Sequence, residues 1–367
     1  MSSVAGVADP GYNCFMAREV ELVIEDIAFG GKGVGRVDGK AVFVPFTIEG
    51  ERIGARVVRE KKSFAEAEVV RLAEPSPHRA TPQCPYFGRC GGCAYQHMSY
   101  AHQLYWKARQ VEQALERIGK FSEPPMRPIV PSPREYSYRN RITVHVEDGV
   151  IGFFRRDAHR LIDLERCPIS APEVNDELAA LRSRRPHDGH YTLRAHSGPR
   201  VFSQTNDEVA MLLADAITAL ILPNQSLLID AYCGAGFFAK RLREKFARTV
   251  GIDWDIHAIA AARANATEAE TYLAGDITGH LGRELARANL SLTTITVDPP
   301  ATGLSADVRK ILHTYPAATL LYVSCNPPTL ARDLADLATS FALRSVTPFD
   351  MFPQTAEIEV LAHLSAS

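Results

Sequence analysis

From Gln225 onward the sequence alternates short apolar runs with helical patterns, and that alternation limits the available folds more than any other feature. The runs SLLIDAYCGAGFF, ARTVGID, TYLAGD, LTTITVDPP and ATLLYVSC, followed by FALRSVTPF and IEVLAHL, read as strands. Helical patterns such as WDIHAIAAARANA and PTLARDLADLATS fall between them. Strands separated by helices build βαβ units, so this region of about 140 residues is expected to form a doubly wound α/β sheet, mostly parallel and finished by an antiparallel strand. Open sheets of that kind hold ligands beyond the carboxyl ends of their strands. Cys325, in LYVSCNPPTL, stands at such an exit, ahead of an Asn and two prolines. A cysteine serving as a small hydrophobe belongs inside the strand among Leu and Val; this one sits where a ligand would be held.

At 367 residues the chain has room for more than this sheet, since single cores seldom grow past about 250–300 residues. Residues 1–17 read as a loose tail. Residues 18–76 carry short strand-like segments punctuated by glycine, and the Asp38–Gly39 turn predicts a hairpin within a small all-β barrel. Arg56, Arg59, Lys61 and Lys62 make a modest basic edge that reads equally as a solvated strand face. Residues 77–205 are expected to form an α+β middle domain. It opens on a cysteine cluster and continues into a helix, SYAHQLYWKARQVEQALERIG, with Ser99 placed to cap its start and Gly119 past its end. Thirteen arginines lie between Arg127 and Arg200 against ten acidic residues and no lysine, a composition suited to phosphate and base-edge contacts. Residues 206–367 hold the sheet.

The net charge of -2 gives no global attraction to nucleic acid, so any such binding must rest on local patches. No run of 18 or more apolar residues occurs, and the N-terminus lacks a basic start and apolar stretch. The expectation is therefore a cytoplasmic protein with no membrane partner, and no obligate protein partner is evident. Seven cysteines, an odd count in a reducing compartment, point to metal binding or catalysis rather than disulfides.

The turn IDAYCGAGFF places Gly234 and Gly236 between a buried strand and the next helix, where a ligand can approach the backbone. The next strand ends at Asp253, where a carboxylate can accept both hydroxyls of a ribose. The third ends at Asp276, suited to an adenine edge, and the fourth at Asp298 in DPP. A glycine turn with carboxylates after three successive strands resembles the S-adenosylmethionine pocket of class I (Rossmann-like) methyltransferases. A nicotinamide site is the rival, but its first turn would carry a third glycine.

A thiol and a carboxylate beside such a pocket suit methylation at C5 of uracil. That carbon is a poor nucleophile until a thiolate adds to C6 and pushes electron density onto it. The adduct must then lose its C5 proton to a base before the thiol can leave. Cys325 is the candidate nucleophile, at a strand end where local dipoles are expected to lower its pKa. Glu359, in DMFPQTAEIEVLAHL, is the candidate base; its plainer reading is a surface charge at a strand start, sharing a face with Glu357. SCNP with a downstream DMFP-x-T-x-x-x-E resembles the RNA uracil-5-methyltransferase family, and VFSQTN is similar to its F-x-Q-x-N stretch. The resemblance implies that Phe202 holds the target base and that Gln204 touches the methionine part of the cofactor. It further implies that Tyr232, Asp253, Asp276 and Asp298 line the cofactor pocket, and that the N-terminal barrel is an OB-like TRAM domain binding RNA.

CPYFGRCGGC gives Cys84, Cys90 and Cys93, with Cys167 farther on in LERCPIS. Four thiolates can hold a [4Fe–4S] cluster or a tetrahedral zinc, and the spacing does not separate the two. The resemblance implies the cluster, and with it 23S ribosomal RNA as substrate. The rivals are the T-loop uridine of tRNA and an inactive RNA-binding protein on the same fold. Cys14 and Cys233 read as incidental. The chain departs from the family at Ala301 in DPPATG, where arginine is usual, and at Gln354 and Glu357, where histidines are common. The stretch between Cys93 and Gln204 is also short for the family.

Overall fold

The computed structural model describes residues 18–195 and 204–367, which divide into two compact units, one ending at Arg79 and the other beginning at Ala80. The expected tail, Cys14 and Phe202 lie outside the described residues.

In the first unit, five strands close a barrel: β1 (Glu19–Ile27), β2 (Lys32–Val37), β3 (Lys40–Pro45), β4 (Arg52–Glu60) and β5 (Phe64–Glu74). The β2–β3 hairpin turns on Asp38 at φ 50° and Gly39 at φ 78°, the left-handed pair that matches strand twist and makes Asp-Gly favourable there. Alternate residues face inward, among them Leu22, Ile24, Val42, Val44 and Ile53. The basic edge is partly neutralised by its own strands. Arg56 lies 3.7 Å from Glu19 and Arg59 3.6 Å from Glu66, exposed pairs that contribute little stability.

The second unit begins with α1 (Tyr100–Arg117), whose start is at Ser99 as the sequence suggests, although the serine hydroxyl makes no capping bond. The Ser99 carbonyl accepts the first helical N–H groups, and its hydroxyl is not used. A four-stranded sheet follows, built from β6 (Arg141–Glu147), β7 (Val150–Phe154), β8 (Leu161–Asp163) and β9 (Gly189–Arg194), in the order β8-β7-β6-β9. Ile142, Val144 and Val146 on one face of β6 pack with Val174, Leu178 and Leu181 of α2 (Pro172–Ser183). The alternate residues of β6 point the other way.

The seven-stranded sheet holds β10 (Leu227–Ala231), β11 (Arg248–Asp253), β12 (Glu270–Ala274), β13 (Thr293–Val297), β14 (Thr319–Ser324), β15 (Phe341–Phe349) and β16 (Glu359–Ala366). Its order is β12-β11-β10-β13-β14-β16-β15, with the first five parallel and β16 antiparallel to both of its neighbours. The central strands are buried along their whole length, as a sheet covered on both faces requires. The helices are α3 (Asp207–Ala219), α4 (Phe237–Leu242), α5 (Ile256–Arg263), α6 (Ile277–Leu285), α7 (Ala306–Thr314) and α8 (Pro327–Leu337). One core joins α6, α7 and α8 to the sheet and takes in Val111, Ala114 and Leu115 of α1. The β15 edge is not left open: Arg127 N–H donates to the Val346 carbonyl and Val130 N–H to the Pro348 carbonyl. Among the described residues no helix is long and apolar enough to cross a membrane.

Candidate active site

The strand order reverses between β10 and β13, because β10 runs on to β11 on one side while β13 lies on the other. A crevice opens at such a point, and parallel register delivers the ends of β10, β11, β13 and β14 to its rim. Beyond β10 the chain passes through Tyr232 at φ 65° and Gly234 at φ 53°. A β-carbon on Gly234 would meet nothing within 4 Å, so the turn leaves open space where a ligand can approach the backbone. Gly251 on β11 is small for a different reason. A β-carbon there would stand 2.5 Å from the Tyr272 ring and 2.9 Å from the Cys233 sulfur, which packs the turn from beneath. Cys233 is accordingly a buried packing residue.

Asp253 is buried at the end of β11, and both of its oxygens accept backbone N–H groups. Gly234 donates to one at 2.8 Å and Asp255 to the other at 2.8 Å. It braces the glycine turn and keeps further lone pairs for a ligand hydroxyl. Asp276 is exposed and caps α6 by accepting from Gly279 N–H at 2.7 Å. Asp298 lies past β13, where burial, then the nearby charge of Asp230, pushes its carboxyl up to about 7. Gln204 is buried and its amide donates to Asp298 at 3.4 Å, so the segment before α3 reaches the same rim.

Cys325 follows β14 and Glu359 opens β16. Ser324 pairs with Val360, so the antiparallel register sets the thiol beside the carboxyl. Glu359 is 3% exposed, which removes its reading as a surface charge, and its Oε1 has no hydrogen-bond partner. Glu357 does not share that burial; it is exposed before the strand begins. Burial, then Asp298, raises the Glu359 carboxyl well above the ordinary range. The expected lowering of the Cys325 pKa is reversed. Burial, then the charges of Glu359 and Asp298, pushes its thiol up to about 11. The helix that follows cannot offset this, because α8 begins with Pro327 and Pro328, which supply no N–H.

The loop before Glu359, which contains Gln354, is fixed from α1 by residues that the sequence did not single out. Lys107 and Asp350 form a fully buried ion pair at 2.6 Å, and Lys107 also donates to the Phe352 carbonyl at 2.9 Å. Gln103 exchanges two hydrogen bonds with Gln354, at 3.0 and 3.1 Å, and the Gln354 carbonyl accepts from Ala94 and Tyr95 N–H. The signal was present in α1: Gln103, Lys107 and Gln110 occupy its core-facing stripe, where polar side chains need partners. The Ala301 turn is likewise held from α8, where Arg332 donates to the Thr302 carbonyl at 2.9 Å and pairs with Asp333 at 2.8 Å.

These residues can bind a nucleoside-bearing cofactor and present a thiol and a carboxyl to a planar substrate. A family model described as tRNA (Uracil-5-)-methyltransferase matches residues 281–366, and a TRAM domain model matches residues 17–70. A curated RNA methyltransferase of Bdellovibrio bacteriovorus is 31% identical over 379 residues, covering 95% of each chain. Another, of Halalkalibacterium halodurans, is 31% identical over 443 residues, covering 94% of this chain and 96% of its own. The chain belongs to the RNA uracil-5-methyltransferase family. The family's fold is present throughout: a solved Pyrococcus abyssi tRNA (uracil-54, C5)-methyltransferase in complex with S-adenosyl-L-homocysteine superposes with TM-score 0.71 at 23% identity. That match covers 94% of this chain and 99% of the other. The protein is an S-adenosylmethionine-dependent RNA methyltransferase, and RNA is its substrate.

The four cysteines that the sequence suggests as metal ligands lie together around one space. Cys84, Cys90, Cys93 and Cys167 line one cavity of about 860 Å³. Burial, and then the Cys167 charge once local hydrogen bonds are set aside, raises Cys84 and Cys90 and pushes Cys93 up to about 12. Among the described residues no three His, Cys, Asp or Glu side chains converge tightly enough to hold a metal ion. Gln96 is buried against the same cavity with its Oε1 accepting from Cys84 N–H at 3.1 Å, and its side chain favours the anionic form of Cys93. A buried donor among thiols suits an anionic sulfur group there.

Proposed function

We propose that the protein methylates C5 of one uridine in 23S ribosomal RNA through a covalent adduct between Cys325 and uracil C6. The burial of Glu359 beside Cys325, with an unpartnered carboxyl oxygen, carries this reading, because no structural role accounts for an acid in that position. S-adenosylmethionine supplies an electrophilic methyl group when bound. Gln204, Tyr232, Gly234, Asp253, Asp276 and Asp298 would hold it along the strand ends, and Phe202 would hold the flipped base, which costs a few kcal/mol to unstack.

After burial, the charge of Glu359 disfavours the Cys325 thiolate, so the thiol gives up its proton to solvent beside a neutral acid. Addition to C6 moves the negative charge from sulfur to the pyrimidine, and C5 would then bond the methyl group as that group's bond to the donor sulfur breaks. Glu359, relieved of its anionic neighbour, releases its proton to solvent and then accepts the proton from C5. The C–S bond breaks as that proton leaves, returning the thiolate and 5-methyluridine.

The four cysteines would hold a [4Fe–4S] cluster. The cluster reading is supported by the four-cysteine pattern and its resemblance to the family, with zinc as the alternative. The cluster would stabilise the segment through Ala94 and Tyr95 that supports Gln354. Sequencing ribosomal and transfer RNA from a deletion strain tests the substrate. Loss of one 5-methyluridine in 23S RNA is expected, and loss confined to the tRNA T-loop would move the enzyme to tRNA.

A further inference from the structure

The turn after Asp298 and the helix after Cys325 are joined through side chains. Thr329, Arg332 and Asp333 stand three and four residues apart on α8, a spacing that puts them on one helical face. Each reaches a backbone group of the turn. The Thr329 hydroxyl lies 3.0 Å from the Ala301 carbonyl, and Arg332 donates to the Thr302 carbonyl at 2.9 Å. The Leu304 N–H donates to Asp333 at 2.8 Å. Gly303, at φ 77°, lies so close that a β-carbon there would collide with an Asp333 oxygen. Asp333 is fully buried and anchors this face of the helix. It also accepts from the hydroxyl of Tyr322 on β14 at 2.8 Å, and pairs with Arg332 at 2.8 Å and Arg309 at 3.2 Å.

The thiol has supports of its own. Asn326 N–H donates to the Ser324 hydroxyl at 3.2 Å, and the Asn326 side chain caps α8 by accepting from Thr329 N–H at 3.2 Å. The residues on both sides of Cys325 are thus held without help from the turn. The one proton of the Thr329 hydroxyl has two acceptors, because the Asn326 carbonyl lies 3.1 Å away. Thr329 therefore occupies the joint between the strand that ends in the thiol and the turn that follows Asp298.

We infer that Thr329 and Arg332 are positioning residues for methyl transfer, holding the Asp298 turn at a fixed offset from Cys325. This rests on the proposed reading, in which Asp298 faces the methyl donor and Cys325 carries the uracil. Transfer forms the bond from C5 to the methyl carbon as the bond from that carbon to sulfur breaks, with the electron pair going to sulfur. The three atoms must lie in line, the reacting pair about 3–3.5 Å apart. The donor and the adduct sit on different loops, so sheet register alone does not fix their offset. The bonds from α8 do. Thiol addition needs no donor: the adduct then takes a proton from water at C5 and returns one to the base, so tritium at C5 escapes to water. That exchange depends on Cys325 and Glu359 and not on the turn.

The test uses full-length protein and total RNA from a deletion strain grown on uridine tritiated at C5. Tritium release without S-adenosylmethionine reports addition, and single-turnover methylation with it reports transfer. Thr329→Val is expected to slow methylation about tenfold and Arg332→Met about a hundredfold, the loss that about 1 Å of misplacement brings. Tritium release without the cofactor should match wild type in both. Calorimetric affinity for S-adenosylmethionine should stay within about twofold, since an interaction that acts only in the transition state lowers the rate and not the binding. Thr329→Ser keeps the hydroxyl and should methylate at the wild-type rate. Exchange and methylation falling together in both variants would assign these residues to support of the thiol and overturn the proposal. Unchanged methylation in both would overturn it too, as would a Ser variant as slow as Val, or weaker cofactor binding with an unchanged single-turnover rate. If wild type methylates RNA yet neither exchanges tritium nor traps fluorouridine, the covalent reading falls, and the comparison of rate with affinity still decides the role of Thr329 and Arg332.

Discussion

Cys325 should ionise late, and this is measurable before any RNA is present. Its thiol is pushed up to about 11, by burial first and by Glu359 and Asp298 after it. Ionisation follows pH tenfold per unit, so such a thiol is thiolate in roughly one molecule in 10,000 at pH 7 and one in 100 at pH 9. Alkylation by iodoacetamide requires the thiolate. Its rate at Cys325, followed by mass spectrometry of the peptide spanning Leu321–Leu330, should rise about tenfold per unit from pH 7 to 10 without levelling. A free thiol with a value near 8.5 would level off by about pH 9.5. Glu359→Gln removes the second cause and leaves the first, so the profile should move to lower pH yet stay above that of a free thiol. A wild-type plateau below pH 9, or a profile that Glu359→Gln does not move, would refute the electrostatic account of this corner.

Other consequences follow from the same structure. Lys107→Met leaves Asp350 buried and unpaired, which should cost about 3–5 kcal/mol and lower the melting temperature by on the order of 10 °C, with much of the loss recovered in Lys107→Met/Asp350→Leu. Glu359 has a raised carboxyl, so the folded state keeps its proton while the unfolded state loses it above about pH 4.5, and wild-type stability drains away as pH rises. Glu359→Gln should therefore melt above wild type at pH 8 and converge with it near pH 4.5. Asp253→Ala removes the two acceptor bonds that brace the glycine turn, and calorimetry should show S-adenosylmethionine bound at least tenfold more weakly while the fold persists. Anaerobic purification should give a brown protein with about four irons, and a colourless zinc protein would contradict the cluster.

The α/β sheet was legible because its strands are buried on both faces and read as unbroken apolar runs, with helical patterns between them. Parallel register then followed, and with it the gathering of Tyr232, Asp253, Asp298 and Cys325 at one edge. What the sequence conceals is pairing across distance. Lys107 and Asp350 are 243 residues apart, and each alone is an ordinary charge. The electrostatics of Cys325 were misread for a related reason. A strand end suggests helpful dipoles, but the two prolines that open α8 remove those donors, and the carboxyls of Glu359 and Asp298 arrive from other strands. The arginine excess was visible as composition, yet only the β6–β9 register shows Arg141 facing Arg194.

The central claim is the bond between the Cys325 sulfur and uracil C6, and 5-fluorouridine RNA tests it most directly because fluorine at C5 cannot leave as a proton does. Incubated with that RNA and S-adenosylmethionine, wild-type protein should accumulate a denaturation-resistant complex whose cross-linked peptide contains Cys325, and Cys325→Ala should form none. No complex with wild type, or an equal yield from Cys325→Ala, would contradict the account.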